Sequence, residues 1–513
     1  MTRLIVSASL SLFACCGLLF GSLDLRAAES HVITSLSSSI TVDDLRRHAE
    51  RLSDDTFEGR EAGSRGGHAA GVYIGREFQK HKLAGGAGRS GYYQSFGAQY
   101  RNILGLLPGS DPKLKEEVVM IGAHYDHVGY GTLQNSYGPT GFIHNGADDN
   151  ASGVAGLLEI VEAFAQLETR PKRTILFAYW DGEEKGLLGS KHWVSQPTLP
   201  LDKVRIALNM DMIGRLRNDT VEVYGARSSR DLRRLTSLNN RDANLRFNFI
   251  WKMRDDSDHF TFFQRGIPVL MLHTGLHDDY HRPSDDPEKL NVAGMHRVVQ
   301  VISGVLYDLA EQPQLSGFRQ ASRTESELTQ KEWERPLPAA PSRLGLSWDA
   351  AAETAGKGLI VDRVARGSAA EQAGIRAGDK IIRFIGQPIS DGEEFKSLVL
   401  SAENPARIEV ERAGAAEPIA LDVQLTGKPV RLGISWRVDD AEPNAVVLSR
   451  VTAGSPAAQA GLFVNDRIYE VGGKPFASSA EFRQLLSASG PLELLVERYG
   501  RLKTISLQPL EVE

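Results

Sequence analysis

Thr174-Ile175-Leu176-Phe177-Ala178-Tyr179-Trp180 runs directly into Asp181-Gly182-Glu183-Glu184. The apolar run is too short for a helix and has no polar alternation, so it predicts a strand buried on both faces, as in a parallel sheet. Adjacent glutamates usually lie on a solvated surface. Here they emerge from a buried strand, where an unpaired carboxylate is costly, and a charged partner is implied. Val118 to Gly122, Val204 to Leu208 and Ile267 to Leu272 predict three more strands of the same kind. In Ser152 to Gln166 the residues Val154, Leu157, Leu158, Val161 and Phe164 recur at three- and four-residue spacing, the mark of one buried helical face. Strands alternating with helices predict an α/β domain with a largely parallel central sheet, whose functional groups gather beyond the carboxyl ends of the strands.

Four more segments sit where such ends are expected. Ala123-His124-Tyr125-Asp126-His127 follows the first strand, and Asp126 is placed to hydrogen-bond the second ring nitrogen of His124 and fix its tautomer. Gly146-Ala147-Asp148-Asp149-Asn150-Ala151-Ser152-Gly153 opens the helix. Helix capping accounts for one acidic residue there, but two in succession leave one over. The others are Asn209-Met210-Asp211-Met212 and Tyr280-His281-Arg282-Pro283-Ser284-Asp285. Singly, each has an ordinary structural role. Jointly they put His, Asp, Glu, Asp and His on successive connections of one sheet, a donor mixture suited to two divalent metals, zinc above all, sharing a carboxylate bridge.

GAHYDHVG, NGADDNASG, YWDGEEKGLLGS, NMDMIG and YHRPSDD resemble the motifs of the co-catalytic dizinc aminopeptidase and glutamate carboxypeptidase-like metallopeptidases, over roughly residues 38 to 312. That resemblance implies two Zn2+ per chain. His124 and Asp211 would hold one, Glu184 and His281 the other, and Asp149 would bridge them, since the bridging residue of the family stands three before the serine matched by Ser152. It makes Glu183 the general base and aligns Tyr280 with a residue that polarises the scissile carbonyl. Asp258 falls in a family-like segment and is expected to support the fold or pocket. For His127, His144, His273 and His277 packing or surface roles are expected, because a lone histidine has no ligand logic without partners.

The rest of the chain holds a repeat. Arg343-Leu344-Gly345-Leu346-Ser347-Trp348 returns as Arg431-Leu432-Gly433-Ile434-Ser435-Trp436, and the Ala-Gly-Ile segment ending at Ile375 returns as Ala-Gly-Leu ending at Leu462. Two tandem copies of one small domain follow. They resemble PDZ domains, in which Leu344, Gly345 and Leu346, and likewise Leu432, Gly433 and Ile434, would form loops whose backbone amides receive a peptide C-terminus. The expected fold is thus a zinc exopeptidase domain over 38–312, a polar linker over 313–342, and two small β-rich PDZ-like domains over 343–426 and 430–511.

With 513 residues, 41% hydrophobic and 24% charged, the chain is a globular protein of more than one domain, and a net charge of −6 gives no basic surplus for nucleic acid. Met1-Thr2-Arg3, an apolar run from Leu4 to Phe20, and the small residues Gly21, Ser22, Ala27 and Ala28 follow the order of a secretory signal peptide, expected over 1–28. Export to the periplasm, cell envelope or medium is therefore expected. Both cysteines lie in that leader, and Leu12-Phe13-Ala14-Cys15 resembles a lipoprotein processing site, so a membrane is expected as a partner only if Cys15 is lipidated. The expected activity is removal of N-terminal residues from peptides. Three alternatives stand beside it. The first is a carboxypeptidase or dipeptidase on the same metals. The second is a single-zinc glutaminyl cyclase, disfavoured by having both His124 and Asp211. The third is a PDZ scaffold with a dead peptidase, disfavoured by the intact Glu183-Glu184 pair.

Overall fold

The computed structural model of the chain describes residue 32 and residues 35–348, 358–389 and 391–511; the expected leader lies outside the described residues. The chain forms two compact units, the first running to Glu327 and including Tyr499–Arg501, the second made of Leu328–Arg498 and the residues from Leu502 onward.

The first unit is built on a nine-stranded sheet. Its strands are β1 (Ala84–Gly85), β2 (Tyr93–Phe96), β3 (Tyr100–Leu107), β4 (Val118–His124), β5 (Thr174–Trp180), β6 (Val204–Met210), β7 (Thr220–Tyr224), β8 (Arg246–Ile250) and β9 (Val269–His273). They lie in the order β1-β3-β5-β4-β6-β9-β7-β8, with β2 beside β3. The four strands expected from apolar runs are the contiguous parallel core β5-β4-β6-β9. The flanking pairs β3–β5 and β7–β9 are antiparallel. Every residue of β4 and β5 is buried. Because side chains alternate across a strand, Ile175, Phe177 and Tyr179 enter one core while Leu176, Ala178 and Trp180 enter another.

Four helices cover the first face: α1 (Val42–Leu52), α2 (Arg65–Lys80), α3 (Gly153–Ala165), which is nearly all buried, and a later helix over Val292–Glu311. The shorter segments Leu188–Ser195 and His259–Gln264 cover the other through Trp193, Val194, Phe262 and Phe263. After β4 the chain passes through α3 to β5 on one side, then returns to β6 on the other, so the ends of β4, β5 and β6 open around a topological switch point.

Residues 313–342, expected as a free linker, are docked along most of their length. The first part belongs to the peptidase unit. Leu315 is buried in its larger core, Phe318 packs edge-on against Phe263 at 5.3 Å, and Glu325 pairs with Arg227 at 2.8 Å and Arg319 at 2.7 Å. Polar composition concealed this because the few apolar residues and the ion pair act at single positions. The later part belongs to the second unit. A short helix, Glu327–Trp333, is followed by a strap lying on the second repeat, where Leu337 N–H donates to Ser449 O at 2.8 Å and Asn465 Nδ2 to Glu334 O at 3.1 Å.

Within the second unit the repeats form two antiparallel sheets of six strands each. Their equivalence extends to side chains. Asp379 receives Arg412 Nε at 2.7 Å as Asp466 receives Arg498 Nε at 2.7 Å, and Trp348 meets Phe395 as Trp436 meets Phe482, ring edge to face. Gly345 and Gly433 sit at φ +78° and +82° with Ser368 and Ser455 against them, which a side chain would displace. The first loop differs from the sequence expectation in one respect: its Gly345 N–H already donates to Ser342 Oγ at 2.9 Å.

Candidate metal centre

His124 is the last residue of β4, Glu183 and Glu184 follow β5, Asp211 follows β6, and His281 stands eight residues beyond the end of β9. Asp149 arrives differently. The chain turns at Gly146, φ +53°, where an added Cβ would lie 2.2 Å from Asp149 O and 2.4 Å from the His127 ring, so only glycine fits. On either side of Asp149 the polar side chains are used structurally. Asp148 Oδ1 accepts from Gly214 N at 2.6 Å, and Asn150 Oδ1 accepts from Gly153 N at 3.0 Å. Asp149 is the acidic residue left over, and it faces the site.

The two oxygens of Asp149 look in opposite directions. Oδ1 lies 3.4 Å from His124 Nε2, which is 3.3 Å from Asp211 Oδ1. Oδ2 lies 3.1 Å from His281 Nε2, which is also 3.1 Å from Glu184 Oε2. Two groups of donor atoms close enough to share an ion result: His124, Asp149 and Asp211 in one, and His127, Asp149, Glu184 and His281 in the other. All five residues expected as ligands are brought together.

His127 was expected only to pack. Instead its Nδ1 lies 2.8 Å from Glu184 Oε1, and its imidazole is fully buried within the second group. It stands directly after the His-x-Asp motif, and nothing in its spacing distinguishes it from a packing residue. His144, His273 and His277 keep structural roles: His144 Nε2 meets Ser136 Oγ, His273 Nδ1 accepts Gly275 N–H, and His277 braces Asp148 at 3.2 Å.

The expected contact of Asp126 is also different. Its carboxylate is 3.8 Å from His124 Nδ1, too far for a hydrogen bond, and its backbone carbonyl faces that nitrogen at 3.2 Å. The carboxylate accepts the backbone N–H groups of Glu183 at 3.0 Å and Glu184 at 3.3 Å. Two residues given no role from the sequence, Asp285 at the end of the Tyr280 motif and Arg60 outside every motif, complete the frame. Asp285 Oδ2 accepts the N–H groups of Asp148 and Asp149 at 2.9 and 3.1 Å. Arg60, completely buried, donates to the carbonyls of Leu52, Tyr125, Asn145 and Gly146, joining the loop after β4 to the loop before Asp149.

Carboxylates dominate the electrostatics. Burial, with Glu184, Asp258 and Asp211 nearby, pushes Glu183 well above its ordinary pKa. Burial lowers the affinity of His281 for a proton, but Asp149 and Glu184 reverse this and raise it to about 11. Burial drives Tyr280 up as well, helped by Asp149 and Glu184, so its hydroxyl stays protonated; its ring stacks on His281 at 3.9 Å between centroids. Asp258 is buried and raised to about 7, chiefly by burial. Asp126, Asp149, Glu183, Glu184, Asp211 and Asp258 thus crowd around the site, with the buried guanidinium of Arg60 acting on Asp149, Asp126 and Glu184. Such a region calls for further positive charge, and imidazole and carboxylate donors fit zinc.

Residues 102–306 match peptidase family M28, and residues 360–412 and 447–498 each match the PDZ domain. The chain is 29% identical over 289 residues to leupeptin-inactivating enzyme 1 of Streptomyces exfoliatus, covering 55% of this chain and 60% of that protein. It is 28% identical over 218 residues to a probable leucine aminopeptidase of Arthroderma benhamiae, covering 41% of this chain and 57% of that one. The chain therefore spans less than two thirds of the length of either relative. Among solved structures, the LapA aminopeptidase of Legionella pneumophila aligns with a TM-score of 0.46 at 21% identity, covering 56% of this chain and 76% of that one.

Proposed function

From a chain that carries an M28 peptidase domain followed by two PDZ domains, we propose a zinc aminopeptidase that holds two metals and removes N-terminal residues from peptides. The observation that carries this reading is Asp149, one carboxylate with each oxygen turned to a separate donor group. His124 and Asp211 would hold one zinc and Glu184 and His281 the other, with His127 beside Glu184 in the second donor group. Bound zinc supplies a lowered pKa for water and positive charge against the carbonyl oxygen of the scissile bond. The residues do the rest. Glu183 takes the proton of the attacking water and passes it to the leaving amine, held in place by Asp126 through its backbone N–H. Tyr280, kept protonated, donates to the developing oxyanion. Acidic side chains around the metals favour a free ammonium on the substrate.

Matched peptides test the polarity. Acetylating the N-terminus abolishes cleavage and amidating the C-terminus changes it little; the reverse pattern refutes the proposal. Export, proposed from residues 1–28 alone, is tested by sequencing the N-terminus of the mature protein. The PDZ domains are proposed to capture peptide C-termini and raise the local substrate concentration.

A further inference from the structure

The loop from Tyr130 to Phe142 stands out on the peptidase unit. Among described residues up to 327, six large apolar side chains are exposed, and four of them, Tyr130, Leu133, Tyr137 and Phe142, lie in these thirteen residues. Exposure is high, from 48% at Tyr130 to 89% at Leu133, with Tyr137 at 63% and Phe142 at 60%. From Gly129 to Ile143 the sequence contains no charged residue. Scattered surface apolar residues need no explanation, but a cluster in one uncharged loop beside a site does.

This loop is fastened to the metal centre. Tyr137 N–H donates to His281 O at 2.9 Å, and the Tyr137 ring lies 5.6 Å from the ring of Tyr280 and 5.7 Å from that of His281. Ser136 Oγ holds the turn from within, meeting His144 Nε2 at 2.7 Å. The centre also opens on this side. The His281 side chain is 12% exposed, the most of the five candidate ligands, against 9% for Asp211 and 2% for His124 in the other group.

We propose that the 130–142 loop, with Tyr137 nearest the metals, binds an apolar side chain of the peptide on the leaving side of the scissile bond. The inference rests on the aminopeptidase reading. With the substrate ammonium held among the buried carboxylates, the chain beyond the scissile bond must leave through the open side, past His281. There it meets exposed rings on a loop whose own residues carry no charge, so an apolar residue is favoured over glycine. An apolar side chain gained or lost at such a surface is worth roughly 10-fold in kcat/KM.

The test uses full-length zinc-loaded enzyme on Leu-Phe-amide, Leu-Gly-amide and leucine amide. The wild type is expected to prefer Leu-Phe-amide to Leu-Gly-amide by about 10-fold, mostly through KM. In Tyr137→Ser and in Phe142→Ser, which touches no candidate ligand, that ratio should fall toward unity while zinc content holds. A ratio unchanged in both variants overturns the proposal. A uniform loss on all three substrates with loss of zinc also overturns it, since the loop would then only brace His281. Failure of the wild type to cleave any free-amine substrate would instead refute the aminopeptidase reading itself.

Discussion

Asp126 Oδ1 accepts the backbone N–H of Glu183 at 3.0 Å, so the histidine-bearing loop after β4 sets the position of the proposed base, which follows β5. Asp126→Asn keeps one acceptor but presents an amide N–H to the other backbone donor. Turnover is expected to drop by about 10- to 100-fold, the range for outer-shell partners, with zinc retained. Full turnover in this variant would separate Asp126 from the base.

In the proposed mechanism the adjacent glutamates have different tasks. Glu183→Gln should lower kcat by at least ~100-fold with metal content unchanged, whereas Glu184→Gln should lose metal. Metal analysis beside single-turnover rates distinguishes them, and exchanged phenotypes would reverse the assignment.

His127 gives a sharper test of the second metal position. With its Nδ1 at 2.8 Å from Glu184, His127→Phe should weaken one of two zinc-binding steps by about 10- to 100-fold and leave the other intact. Calorimetric titration of metal-free protein reads both steps. A single step in the wild type would remove the bridged pair altogether.

Away from the site, His48 and Glu159 form a buried pair at 3.5 Å between α1 and α3. Burial raises Glu159 from 4.5 to about 7, so its contribution to stability is present below pH 4.5 and lost as pH rises through 7. Burial lowers His48 from 6.5 to about 4, so that contribution is gained as pH rises from 4 to 6.5. The opposing slopes largely cancel below pH 6.5, leaving the Glu159 loss above it. Glu159→Gln, which can still accept the N–H of Thr41, should raise the melting temperature at pH 8 more than at pH 5. Equal gains at both values would exclude the mechanism.

The docked linker predicts where the peptidase can be cut. Ending the chain at 312 removes buried Leu315 and the partner of Arg227, and should cost at least ~2 kcal/mol. A chain ending at Glu327 keeps both and should melt higher than the chain ending at 312. Equal stability of the two truncations would mean that the docked segment adds nothing.

Much of this was legible in the sequence because buried parallel strands advertise themselves. Thr174–Trp180 matches its predicted bounds, and the helix expected over 152–166 spans Gly153–Ala165. The antiparallel margins were not seen: β7 and β8 mix polar residues into short runs, as in Arg246-Phe247-Asn248-Phe249-Ile250. At the site, residues that present donors from strand ends could be read from the motifs. Those that act through backbone groups could not. Arg60 reaches carbonyls as far as 86 residues away, and Asp285 holds amides 136 and 137 residues earlier, contacts that no local pattern encodes.

The strap on the second repeat carries a consequence for synthesis. Arg450 reaches Pro338 across 112 residues and Asn465 reaches Glu334 across 131, so the strap leaves the ribosome well before the surface that receives it. In that interval the first repeat has the residues of its own core, from Leu344 to Leu425, and can close alone, while Trp333 lacks the Arg437 guanidinium that comes to lie 5.0 Å from its ring. Vectorial folding of the C-terminal half should therefore have an early step and a late one, the second gated by completion of the final repeat.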